Sequence, residues 1–138
     1  MLAEPPIGIA MVVCDQILED SNTSKRSLIG LFNTVACESF PACLTKLCVF
    51  VSVTQILGRV SLTLMCRNET TDERIVSVPG AAESNQPNAV LEIGYEFDNF
   101  SFPRPGLYTF ELLHEEEQLL QTRFNVIEVF PNPQKLLI

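Results

Sequence analysis

Apolar and polar residues alternate along much of this chain with the two-residue period of a half-buried strand. In RVSLTLMCR, Val60, Leu62, Leu64 and Cys66 share one face, while Arg59, Ser61, Thr63 and Arg67 share the other. NAVLEIGYEF repeats the pattern: Ala89, Leu91, Ile93, Tyr95 and Phe97 lie opposite Glu92 and Glu96. LYTFELL sets Tyr108, Phe110 and Leu112 on a common face. KLCVFVSVT is apolar on both faces, Leu47, Val49, Val51 and Val53 on one and Cys48 and Phe50 on the other, which marks a central strand or one covered by a partner.

Polar turn segments separate these runs: EDSNTSK at 19–25, QILG at 55–58, RNETTDE at 67–73 and FPRPG at 102–106. The pattern predicts strands at 7–19, 26–35, 46–54, 59–67, 73–78, 88–97, 106–113 and 118–129. Irregular structure is expected in ACESFPACLT and in PGAAESNQP at 79–87. About eight strands with short polar breaks predict an all-β fold, an antiparallel β-sandwich of the immunoglobulin-like or a related kind. ELLHEEEQLLQTRF, within 111–124, also has helix formers, but it grows out of LYTF without a capping residue and reads as a hairpin with HEEEQ at its tip. The whole of 1–138 forms one domain, with 131–138 as a C-terminal tail ending on Leu136, Leu137 and Ile138.

Composition narrows the function classes. The chain is 46% hydrophobic over 138 residues, enough for a core without metals or disulfides. Its net charge of −8 argues against nucleic acid and anionic membrane surfaces as partners. The five cysteines, Cys14, Cys37, Cys43, Cys48 and Cys66, show no zinc-knuckle spacing and read as reduced thiols. The N-terminal apolar run Ile7–Cys14 lacks a preceding cation and falls far short of the ~20 residues of a membrane span, so a cytoplasmic location is expected. Asn22, Asn68 and Asn99, each in an N-x-Ser/Thr string, read as turn residues.

No phosphate loop, nucleophile elbow or zinc-protease motif occurs, and the single histidine, His114, lies among Glu115–Glu117 at the expected hairpin tip. No catalytic residue and no cofactor are therefore assigned. Loop carboxylates Asp15, Asp20 and Asp98 are weak candidates for calcium, although no spaced calcium loop is present. Asp15 follows an apolar run closely enough to expect partial burial against Lys25 or backbone amides. Phe50, Leu136, Leu137 and Ile138 are weak candidates for contact with a protein partner or a second copy. The leading expectation is a non-enzymatic protein-binding or self-assembly module; the alternative is a small-ligand or calcium-binding sandwich, and a hydrolase ranks last.

The segments CDQILEDSNTSKRSLIGLFN, from Cys14, and FPRPGLYTFELL, from Phe102, resemble an uncharacterised family of small, mostly bacterial domains. The resemblance rests on Asp15, Lys25, Leu28, Gly30 and Phe32, on Phe40 and Pro41, and on Phe102, Pro103, Pro105, Gly106 and Tyr108. It implies a compact all-β domain and supplies no catalytic residue. The chain departs from that family's pattern in its HEEEQ tip, where an Asp-Gly turn is expected, and in its number of cysteines. Apart from the resemblance, Pro103 and Pro105 set up a corner at which Gly106 turns the chain into the strand of Tyr108, and Gly30 marks a bulge or a close backbone approach.

Overall fold

A computed structural model describes residues 4–130. Among them every regular element is a strand: β1 (Ile7–Glu19), β2 (Arg26–Leu31), β3 (Thr34–Cys37), β4 (Ala42–Thr54), β5 (Gly58–Asn68), β6 (Glu73–Ser84), β7 (Leu91–Phe102), β8 (Gly106–His114) and β9 (Glu117–Glu128). No helix is long and apolar enough to cross a membrane. The strands form two sheets, β2-β1-β4-β7 and β3-β9-β8-β5-β6. Within them, β1-β4-β7 and β9-β8-β5-β6 follow the A-B-E and G-F-C-C′ order of immunoglobulin sandwiches.

The period-two faces of the sequence form the core. Leu47, Val49, Val51 and Val53 of β4 are wholly buried against Leu62, Leu64 and Cys66 of β5 and Tyr108, Phe110 and Leu112 of β8. Toward one end the filling is aromatic. Phe102, Tyr108, Phe110 and Phe124 pack with ring centroids 5.1–5.9 Å apart, in a mixture of edge-on and stacked geometries. The Tyr108 hydroxyl donates to the Arg104 carbonyl at 2.5 Å, the tyrosine corner of a Greek-key sandwich. Gly106 has φ of +152°, and a Cβ there would lie 3.0 Å from Asn68 and Thr70, which explains the glycine of the FPRPG corner. Asn68 is buried, and its Oδ1 accepts from the Thr70 and Thr71 amides, as its turn reading required.

Several boundaries differ from the sequence pattern. The strand expected at 26–35 is two strands, because the chain crosses between sheets at Phe32–Asn33: β2 pairs with β1, and β3 runs parallel to β9. Among the described residues the sandwich thus has nine strands and one parallel pair, against the expectation of about eight antiparallel strands. Phe32 anchors the crossing with its ring 5.8 Å from that of Phe124. PGAAESNQP is not a loop throughout, for β6 continues to Ser84. ACESFPACLT is irregular only at 38–41, which includes a cis Phe40–Pro41 bond. The strand expected at 88–97 lies at Leu91–Phe102 and continues through Asn99, whose φ of 54° steps the alternation so that Phe97 and Phe100 both reach the core. The 111–124 segment is a hairpin, with His114 paired to Glu117 and Glu115 turning the chain at φ 57°.

Candidate functional site

Both faces of KLCVFVSVT are accounted for within the chain. β4 is central, between β1 and β7, and its inner face is core. Its outer face is covered by the β1–β2 hairpin. β1 pairs with β4 only as far as Cys14, then leaves the sheet and pairs with β2 through Glu19. This arm lies back over the sheet: the Cδ1 of Ile17 would be 3.3 Å from a Cβ on Gly94 of β7, and Arg26 Nη1 meets Glu92 Oε1 at 2.6 Å. Leu28, directly opposite Ile17, faces the same way and is half-buried. Phe50, a candidate contact residue, is accordingly half-buried, and the protein's own arm lies over this face of the sheet.

The second sheet shields its outer face with charge. Arg67 Nε and Nη2 both lie 3.0 Å from Glu111 Oε1, Arg67 also approaches Glu69 (3.6 Å) and Asp72 (3.5 Å), and Arg123 meets Glu69 at 3.3 Å. Glu111 is buried because these long side chains and the 69–72 turn cover it. No single sequence motif announces this network, since its members come from β5, the following turn, β8 and β9.

The flank of the sandwich where β6 and β7 form the outer strands is different. Among the described residues neither strand has a partner on its outer edge. A groove of 490 Å³ lies there, with Leu62, Ala82, Leu91, Ile93 and Tyr95 among its lining residues and Arg26, Glu83 and Glu92 at its rim. It exists because β6 places Gly80, Ala81 and Ala82 at this level, too small to close the gap between sheets. Burial pushes the Tyr95 hydroxyl above its ordinary pKa, so it remains a neutral hydrogen-bonding group. The Arg26–Glu92 pair ties the rim to the arm, and Glu83 is the rim carboxylate without an ion pair among the described residues.

The calcium candidates are not brought together. Asp15 lies at the bend of the arm, exposed rather than partly buried, with its carboxylate against Gly30, whose φ of +74° and lack of a Cβ make room for it. Asp20 Oδ1 accepts from the Asn22 and Thr23 amides, which hold its carboxyl below the usual range. Asp98 sits on β7 opposite Lys46. Among the described residues no three His, Cys, Asp or Glu side chains gather around a common point. His114 closes β8, with Nδ1 3.0 Å from the Ser61 carbonyl; since a carbonyl only accepts, the proton sits on Nδ1. Leu136, Leu137 and Ile138 lie outside the described residues.

The groove eluded the sequence pattern because Gly and Ala give no alternation of hydrophobicity, so PGAAES had no strand signature. No curated protein matches the chain. A family model described as a family of unknown function, DUF6941, matches residues 9–127, from the first strand of the sandwich to the last, and the chain belongs to that family.

Proposed function

We propose that the protein is a non-enzymatic binding module that receives an extended segment of a partner protein in the groove between β6 and β7. The observation that carries this reading is the coincidence, at one flank, of an apolar floor and two strand edges that no described residue pairs. Strand edges offer backbone donors and acceptors at the spacing of an added strand, and a floor between them accepts alternate side chains. The unpaired Glu83 favours a segment with aliphatic residues at alternate positions and a lysine or arginine beside them. Five thiols without a disulfide are in keeping with a reducing, cytoplasmic setting.

The test uses a displayed library of random peptides selected on the full chain. Enriched peptides should alternate aliphatic residues, carry a basic residue, and lose binding to Val90→Glu and Glu83→Lys, both at exposed rim positions. Absence of enrichment, or peptides whose binding survives both substitutions, would sink the proposal.

A further inference from the structure

Two buried thiols stand side by side where the arm leaves the sheet. Cys14 of β1 and Cys48 of β4 are direct partners in the antiparallel ladder. Facing residues in such a ladder have Cα atoms roughly 4.5–5.5 Å apart, inside the roughly 4.4–6.8 Å that a disulfide spans. Both side chains point to the outer face of the sheet, under the arm, with 0% and 1% exposure. Each thiol donates to the backbone of the bend: Cys14 Sγ to the Gln16 carbonyl at 3.5 Å and Cys48 Sγ to the Asp15 carbonyl at 3.7 Å. The pair therefore holds the point at which the arm folds over.

We propose that Cys14 and Cys48 form a redox modification site, closed into a cross-strand disulfide by a low-molecular-weight disulfide, and that closure releases the β1–β2 arm. One thiolate attacks the small disulfide, forming a mixed disulfide and expelling one small thiolate. The second cysteine thiolate then attacks the protein sulfur of that adduct, forming the Cys14–Cys48 bond and expelling the other small thiolate. The two protein thiols are oxidised, lose their protons to solvent, and the oxidant is reduced to two thiols. Both sulfur donors to Asp15 and Gln16 vanish in the product, so the bend loses its two side-chain tethers.

The closed arm also controls access. Burial raises both thiols above their ordinary pKa, which suppresses the thiolate while the arm is down. In the sheet β2 pairs with β1 alone, and beyond that the arm rests on the Arg26–Glu92 pair and the Ile17 contact, the kind of peripheral element that opens ahead of the whole fold. The remaining thiols differ in setting. Cys43 is exposed, Cys37 half-buried, and Cys66 lies in the core with its pKa pushed up to about 12.

The experiment treats the full chain carrying Cys37→Ser and Cys43→Ser with oxidised glutathione, alone and in urea below the unfolding transition. Peptide mass spectrometry should find a Cys14–Cys48 bridge as the dominant product, formed several-fold faster in the urea and reversed by dithiothreitol. Amide exchange over residues 15–31 should then rise several-fold over the reduced chain while the β8–β9 hairpin stays unchanged. A stable glutathione adduct on either cysteine, both thiols remaining free, or comparable bridging to Cys66 would overturn the site. A bridge that leaves exchange at 15–31 unaltered would overturn the release. The readouts touch the β6–β7 groove only through Arg26 at its rim, and none of them measures peptide binding, so they stand or fall apart from the binding role.

Discussion

The two outer faces of the sandwich are both covered, by opposite means. The first sheet lays an apolar arm over β4 and β7, with Ile17 against Gly94 and two thiols under the bend. The second sheet covers Glu111 with arginines and a polar turn. The arm's apolar contacts are insensitive to salt, but the arm also depends on the Arg26–Glu92 pair that pins its far strand to β7. Ionic cover draws on residues distributed over several strands, and its members are costly to remove singly. With both faces spent on internal contacts, the β6–β7 flank is where unpaired edges and apolar floor meet.

The contrast is broken most sharply on the ionic face. Loss of one partner of a buried ion pair costs roughly 3–5 kcal/mol, and since Arg67 is about a third exposed and retains Glu69 and Asp72, Glu111→Ala should cost about 2 kcal/mol in urea unfolding. The double replacement Arg67→Met with Glu111→Leu should recover most of that loss. If it is as unstable as the single variant, charge is not what covers this face.

On the arm, Gly30→Ala forces a side chain into left-handed backbone and drives its Cβ into the Asp15 carboxylate. The strain alone is about 1–2 kcal/mol. It should appear as faster amide exchange at 15–31, partly restored by Asp15→Ala, with a smaller change in the global transition. An equal rise throughout the chain would show that the arm is part of the core unit.

Ile17→Ala removes half-buried contact and should cost about 1 kcal/mol, again confined to the arm, and should speed the labelling of Cys14 and Cys48. With Arg26→Met added to remove the Arg26–Glu92 pair, moderate salt should leave the arm's exchange untouched while loosening the Arg67 network; the reverse would invert the comparison. The smallest effect concerns pH. Asp20 is held below its usual pKa by the Asn22 and Thr23 amides, so its contribution is present above the ordinary carboxylate range and is lost as pH falls through the lowered folded value. Acidification should therefore lower the protection of those two amides relative to their intrinsic exchange rates, and Asp20→Asn should remove that loss.

Much of the fold was legible in short segments. Alternation in RVSLTLMCR and LYTFELL marked strands whose inner residues are now wholly buried, and FPRPG announced a corner. The same reasoning favoured a hairpin over a helix at HEEEQ, which the pairing of His114 with Glu117 shows. Alternation failed where residues are small, in PGAAES, and where the chain changes sheets, at Phe32–Asn33, because neither event alters local periodicity. The doubly apolar strand reads as central or covered by a partner, and it is central, but nothing local says that residues thirty positions earlier fold back over its outer face. The Arg67 network and the groove were invisible for the same reason: their members meet only across strands.

Local chemistry thus determined the class of this protein. Period-two burial dictates strands, and proline and glycine dictate corners. Tertiary structure alone decided which strands lie at an edge, which face the arm covers, and that Cys14 meets Cys48. Those outcomes depend on pairings between distant segments, and the free energy of each pairing belongs to the two segments together, with no trace in either one.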